Sequence, residues 1–262
     1  MDIITSFQDT NSIENLSFGV LEKRIKENPV LVVPLGGTEP YGSSSMGTAN
    51  LITGAISTEV SERLSLLRAP VMPYGCSGPF MSFCGTSALK PATFKNVLFD
   101  LFRGWMFQGF TKFVVLNGVV HNTPVLEGVL KQLNKKRGIH SRVIELHKDQ
   151  AIRDFYTKQF GPAGDLERFE TAFMSIASFL WPDMVKNIDC NYGVKRVDEV
   201  SAKTYQTWKK RGMDPQKLRK MAPEGLINPR SGFNHSLKAG EHLFNFIVDY
   251  STKEISRFLE KE

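Results

Sequence analysis

The sequence predicts an α/β fold, a three-layer α/β/α sandwich built on a mostly parallel central sheet. Two patterns carry that expectation. Short apolar runs rich in β-branched residues recur through the first 150 residues, and the stretches between them place apolar residues at helical spacing. The 262 residues, 41% of them hydrophobic, are enough to bury one substantial core, and no linker or composition shift marks a hinge. A single domain over residues 1–262 is therefore expected.

The predicted strands are VLVVPLG (30–36), APVMPYG (69–75), KFVVLNG (112–118) and SRVIELH (141–147). Each is too short for a helix, and continuous apolar character fits strands buried on both faces of a parallel sheet. After Thr48, the residues Leu51, Ile52, Ala55, Ile56, Val60 and Leu64 form one face of a helix. Pro91 opens another, with Phe94, Val97, Leu98, Leu101, Phe102 and Trp105 on its apolar face. Thr123 as N-cap and Pro124 in the first turn start a third, carrying Val125, Leu126, Val129, Leu130 and Leu133 and ended by Gly138. Strand and helix alternating in this way imply parallel strands with helices on both sides. Farther along, helices are expected from Glu170 to Leu180, stopped at Pro182, over roughly 199–211, and from about Ser236 to Leu259.

Composition excludes several classes. The opening MDIITSFQDT lacks a basic segment followed by an apolar run, so no signal peptide is read there. No apolar stretch approaches the roughly 20 residues of a membrane-spanning helix, and a soluble, cytoplasmic protein without membrane partners is expected. Cys76, Cys84 and Cys190 are odd in number and lack CxxC spacing, which argues against a disulfide framework or a cysteine-rich zinc site. The formal charge is +6, and nine Lys/Arg face three Asp/Glu between Lys195 and Lys220. Base-stacking aromatics are sparse in that segment, so it reads as a solvated helical face, with an anionic small molecule as the alternative and no nucleic-acid partner expected.

In open α/β sheets ligands bind beyond the carboxyl ends of the strands. The predicted strand exits hold Gly36, Gly37, Glu39, Tyr41 and Gly42; then YGCSGPFMSFCGTS; then Asn117, Gly118, His121 and Asn122; then His147 and Asp149. Glycines and small polar residues there allow close backbone approach to a ligand, which marks Gly37, Ser77, Asn117 and Asn122 as candidate substrate-binding positions.

Five segments in order resemble the creatininase (creatinine amidohydrolase) family. PLGGTEPYGSSSMGTAN (Pro34 to Asn50) is similar to the family pattern PxGxxEqHGpHLPxGTD, and GCSGPFMSFCGT (Gly75 to Thr86) to GxSxxHxxFPGT. NGVVHN (Asn117 to Asn122) resembles the NGHGGN or NGHxEN turn, DLERFETA (Asp165 to Ala172) the HAGxxETS stretch, and INPRSGFNHSLKAG (Ile227 to Gly240) the closing GDPxxAxxxxG pattern. The resemblance covers nearly the whole chain. It implies hydrolysis at an amide or cyclic amide carbon, with two divalent metals activating a water, and a homo-oligomer assembled from dimers into hexamers.

Carried across by that resemblance, the family's metal-ligand positions are Glu39, Tyr41, Ala49, Val119 and His121. Ala49 and Val119 have no side-chain donor, and tyrosine is an uncommon ligand beside imidazole. Ala49 stands where a carboxylate holds the two cations together. Phe80 replaces the histidine of the second segment, Cys84 the proline before its GT pair, and Asp165 the histidine of the fourth, while Glu170 is retained. The expectation is a fold kept without the metal pair and no cofactor. The alternative is a mononuclear zinc or manganese site at Glu39 and His121, with Asp165 as a third ligand.

The candidate catalytic residues are then Glu39, His121, Tyr41, Asp165, Glu170 and Cys76. Glu39 reads as a general base or an anchor for a substrate amine or guanidine, or else as a carboxylate bonded to loop amides. His121 is a base or a cap for the following helix. Tyr41 donates a proton, lines the pocket or packs. Cys76 is a nucleophile with His121 as base and Asp165 or Glu170 orienting the ring, or else a small buried hydrophobe. Asp165 is expected to precede a helix with Glu170 in its first turn, near the positive helix end. His140, His147, His235 and His242 carry no spacing signal. Two functions remain: a divergent, metal-independent creatininase-like amidohydrolase acting on a C–N or acyl bond of a small nitrogen-containing metabolite, and a non-catalytic relative that binds a small molecule or serves as a partner subunit.

Overall fold

Alternation along β1 (Val30–Leu35) sets the architecture, because its two faces pack into two different cores. Val30 and Val32 join one cluster, Leu31, Val33 and Leu35 the other, and all six residues of the strand are buried. The computed structural model describes residues 9–41, 44–160, 165–183, 214–221 and 237–261.

Within these residues the chain runs α1 (Phe18–Glu27), β1, α2 (Thr48–Leu64), β2 (Leu67–Arg68), α3 (Pro91–Phe107), β3 (Lys112–Asn117), α4 (Thr123–Leu133), β4 (His140–Glu145), α5 (Gln150–Phe160), α6 (Asp165–Leu180), α7 (Pro215–Met221) and α8 (Leu237–Lys261). The strands form one parallel sheet in the order β2-β1-β3-β4. Residues of α2, α5, α6 and α8 bury Ile52, Ile56, Tyr156, Phe173 and Ile247 on one sheet face. Residues of α1, α3 and α4 bury Ile25, Phe94, Phe102 and Leu126 on the other. The three-layer α/β/α sandwich expected from the sequence is the observed fold.

Three expectations need correction. The run 69–75 does not form the second strand; β2 is Leu67–Arg68, followed by an isolated bridge from Met72 to Leu35. Pro70 and Pro73 lack the N–H that a continuing ladder requires, so only Ala69 and Met72 donate to β1, to the carbonyls of Val32 and Pro34. At α4, Asn122 holds the cap position and the helix stops at Leu133; Gly138, at φ +74°, serves the turn before β4. Asp165 does not precede its helix but begins α6, which puts Glu170 on the second turn. The helix expected over 199–211 lies outside the described residues.

Close approach of two helices within one layer depends on one glycine in particular. A Cβ on Gly240 of α8 would stand 1.9 Å from the backbone oxygen of Ser175 in α6, so these two helices meet backbone to backbone. That contact brings α6, with Phe173, against the loop leaving β1.

Candidate active site

Adjacent parallel strands in register bring their exits together: Leu35 pairs with Asn117, and Asn117 with Glu145. The loops after β1, β2, β3 and β4 therefore converge at one sheet edge. They touch directly. A Cβ on Gly37 would lie 2.8 Å from Val119 Cγ2 and 3.1 Å from Ser77 Oγ, and one on Gly75 would lie 2.2 Å from Asn122 Oδ1. These glycines serve loop-to-loop packing.

Glu39 sits at the exit of β1, buried, with the Tyr41 hydroxyl donating to its Oε1 at 3.4 Å. Its Oε2 has no hydrogen-bond partner among the described residues. Burial raises the Glu39 pKa to about 7; the Ser77 and Tyr41 hydroxyls offset part of that, Ser77 standing close without reaching hydrogen-bond geometry. Tyr41 in turn stacks on Phe173 with ring centroids 6.1 Å apart. Tyr41 is thus both a hydrogen-bond donor to Glu39 and a packing residue.

His121 lies in a single 3-10 turn, Val120–Asn122, that leads into α4. Its ring meets Phe80 edge-on at 5.6 Å, and desolvation lowers its pKa to about 4, so it is a neutral imidazole at physiological pH. Phe80 also packs with Phe83 and Leu218, and Arg219 of α7 covers the Phe83 ring at 4.7 Å. α7 thus closes over the side of the site where His121 stands.

Asn117 and Asn122 are wholly buried, and their amides bind the loops to one another. Asn117 Nδ2 donates to the Val119 carbonyl at 2.9 Å and to Glu145 Oε2 at 2.7 Å, and Asn122 Oδ1 accepts from the Cys76 amide at 2.8 Å. Every one of these bonds ends inside the protein, so the two amides serve as scaffold for the loops they join.

Cys76 belongs to the α1/α3/α4 core, whereas Tyr41 and Val119 belong to the opposite one. Burial raises its thiol to about 11, and no hydrogen bond joins it to His121 among the described residues. This burial weighs against the nucleophile reading, since a protonated thiol in apolar surroundings is a poor nucleophile. Asp165 and Glu170 are placed on α6 by their backbone alone, and their side chains lie outside the described residues.

Two residues carry no site role in the sequence reading: Glu145, the last residue of β4, and His147, which that reading places at the strand exit and which lies in the turn that follows. His147 Nε2 lies 3.5 Å from Glu145 Oε2 and 3.5 Å from Thr123 Oγ1. Burial raises Glu145 to about 7 and lowers His147 to about 3, where the neighbouring His121 and Lys148 add to the effect. The Glu-x-His spacing at a strand end was the available signal.

A family model described as creatinine amidohydrolase matches residues 14–255. The chain belongs to the creatininase family. As a creatininase relative it is similar to a mutant creatininase with a TM-score of 0.75 and 22% identity, over 95% of this chain and 99% of that one. A structure described as creatininase Mn gives a TM-score of 0.72 at 21% identity, over 95% and 98%. These likenesses concern the fold. The mycofactocin precursor peptide peptidase of Mycobacterium ulcerans (strain Agy99) is 29% identical over 118 residues, 40% of this chain and 46% of that protein, so the match spans about half of that relative's length.

Solved creatininases include one described as Zn-Zn type and one described with Mn. The residues at the corresponding loop do not fit such a pair. Tyr41, Ala49 and Val119 are members of one buried apolar cluster with Leu146 and Phe173, and two of the three carry no donor atom. Among the described residues, no group of three His, Cys, Asp or Glu side chains stands together as a metal site.

Proposed function

We propose that this creatininase-family protein is a hydrolase that cleaves an amide or related C–N bond of a small nitrogen-containing metabolite, using Glu39 rather than a metal pair to handle the proton. The observation that carries this reading is the state of Glu39: a buried carboxyl at the exit of β1, held near pKa 7, with Oε1 bonded by Tyr41 and Oε2 without a partner among the described residues. A carboxyl with that pKa is present in both protonation states at neutral pH, which general acid–base catalysis requires.

In the proposed step, ionised Glu39 takes a proton from water as the water oxygen bonds to the substrate carbonyl carbon. It returns that proton to the nitrogen as the C–N bond breaks, leaving a carboxylic acid and an amine. Tyr41 keeps the carboxyl aimed. Neutral His121, on the loop leaving β3, accepts or donates one hydrogen bond to substrate without bringing a charge. The peptide peptidase relative supports C–N hydrolysis as the reaction class.

The test is turnover of N-acyl, formamide, lactam and short peptide amides by the purified protein, with parallel elemental analysis. Hydrolysis that persists after chelator dialysis and falls about 100-fold or more in Glu39→Gln supports the proposal. Hydrolysis that requires two metal ions per chain, or that Glu39→Gln leaves intact, overturns it. A second reading, a non-catalytic small-molecule-binding protein or partner subunit, is favoured by the burial of Ala49 and Val119 in the core. Ligand binding with no cleavage of any amide in the panel would select it.

A further inference from the structure

Glu145 and His147, at the exit of β4, belong to none of the five family-like segments and have no part in the step just described. Glu145, His147, Asn117 and Thr123 are all buried. Four polar side chains in one desolvated place are costly unless they satisfy one another, and here their bonds form a connected set. Glu145 Oε2 accepts from Asn117 Nδ2 at 2.7 Å and lies 3.5 Å from His147 Nε2. Thr123 Oγ1 stands 3.5 Å from the same imidazole nitrogen and 3.5 Å from Asn117 Nδ2.

The set encloses a short piece of chain. Asn117 Nδ2 also donates to the Val119 carbonyl at 2.9 Å, and Asn117 Oδ1 accepts from the Val119 amide at 3.2 Å and from Asn122 Nδ2 at 3.3 Å. Residues 117–123 are therefore held at both ends and in the middle, and His121 is the one ionisable side chain they carry. Plain packing could fill this volume with apolar residues, as it does at Val119. A carboxyl and an imidazole instead give the turn two oriented anchors, one reached through Asn117 and one through Thr123.

We infer that Glu145 and His147 are positioning residues of the active site: a buried carboxyl–imidazole pair that fixes, through Asn117 and Thr123, the turn presenting His121. This rests on the reading of His121 as a site residue. Ionised Glu145 acts as the common acceptor, for Asn117 Nδ2–H and for His147 Nε2–H, which selects the imidazole tautomer protonated at Nε2.

The experiment is imidazole ¹⁵N NMR of the full chain at a pH well above 7, where Glu145 is ionised, in the wild type, Glu145→Leu, Glu145→Gln and Thr123→Val. Expected is a single Nε2–H tautomer of His147 in the wild type. Glu145→Leu shifts both the His147 and His121 ring signals and moves the 117–122 backbone amides, while Glu145→Gln, which keeps an acceptor oxygen, restores them. If Glu145→Leu fails to fold, Thr123→Val reads the same shifts from the other anchor. Unchanged His121 signals in a folded Glu145→Leu or Thr123→Val protein overturn the inference. An amide hydrolase should in addition lose kcat with KM retained in Glu145→Leu. Moved imidazole signals with no hydrolysis in any variant would sink the proposed function while leaving the positioning role intact.

Discussion

The Tyr41 hydroxyl donates to Glu39 Oε1 at 3.4 Å, and both groups are buried, the ring against Phe173 and the carboxyl with one oxygen unpartnered among the described residues. Tyr41 thus supports the Glu39 carboxyl from two positions along the same loop. Tyr41→Phe removes a bond that favours ionised Glu39. Its pKa should rise above about 7, leaving a smaller fraction ionised at neutral pH. Carboxyl ¹³C titration of Glu39 reads this directly. The stability cost should be about 1 kcal/mol, and an unmoved titration curve would disconnect the two residues.

Four buried ionisable groups make a signed prediction for stability against pH. Glu39 and Glu145 rise from 4.5 to about 7, so each stabilises the fold most below pH 4.5 and loses that contribution as pH climbs through 7. His121 and His147 fall from 6.5 to about 4 and about 3, so each contributes fully above pH 6.5 and loses its contribution as pH drops. Between pH 4.5 and 6.5 the folded state holds two carboxyl protons and the unfolded state two imidazole protons, and these four groups together leave stability nearly flat. The opposing slopes separate by mutation. Glu39→Gln with Glu145→Gln should make denaturation free energy fall toward acid below pH 6.5, by up to ~1.4 kcal/mol per pH unit for each imidazole. His121→Gln with His147→Gln should make it fall in the other direction, as pH rises from 4.5 to 7. Urea titrations at several pH values decide between these slopes and none.

Restoring the missing carboxylate should be unfavourable. Ala49 is wholly buried on α2 within the cluster that holds Tyr41 and Val119. Ala49→Asp places an unpaired carboxyl there, at a cost of about 3 kcal/mol or more, which lowers Tm by ~6 °C or more. Calorimetry with and without added zinc checks it. A variant as stable as the wild type that gains zinc-dependent stabilisation would show that the site still accommodates a metal.

The cysteines should differ in reactivity. Cys76 is buried, with its thiol pushed up to about 11, whereas Cys84 is exposed. At pH 7.5, iodoacetamide should label Cys84 and leave Cys76 unmodified until the protein is denatured, as peptide mass spectrometry would show. Prompt labelling of Cys76 in the native protein would return it to the list of nucleophiles.

The layers of the fold were legible because hydrophobic period is a local property. Ile52, Ile56 and Val60 face the core as their spacing predicts, and so do Phe94, Leu98 and Phe102. Leu51 and Leu101 share that pattern yet remain 40% and 38% exposed, since period alone does not say how wide a neighbouring layer is. The second strand failed for a reason the sequence did contain, the prolines at 70 and 73.

By itself the sequence determined the alternation of strands and helices, the parallel sheet they imply, and the strand-exit loops that carry Glu39, Tyr41 and His121. All of these follow from residues near one another in the chain. Tertiary structure decided what each surviving group can do. It put Cys76 and Tyr41 into opposite cores, held Glu39 near neutrality by desolvation, and joined Glu145 to Asn117 across 28 positions of sequence. Burial and hydrogen bonding act through space, and the distance between two strand exits is set only when the sheet has its register.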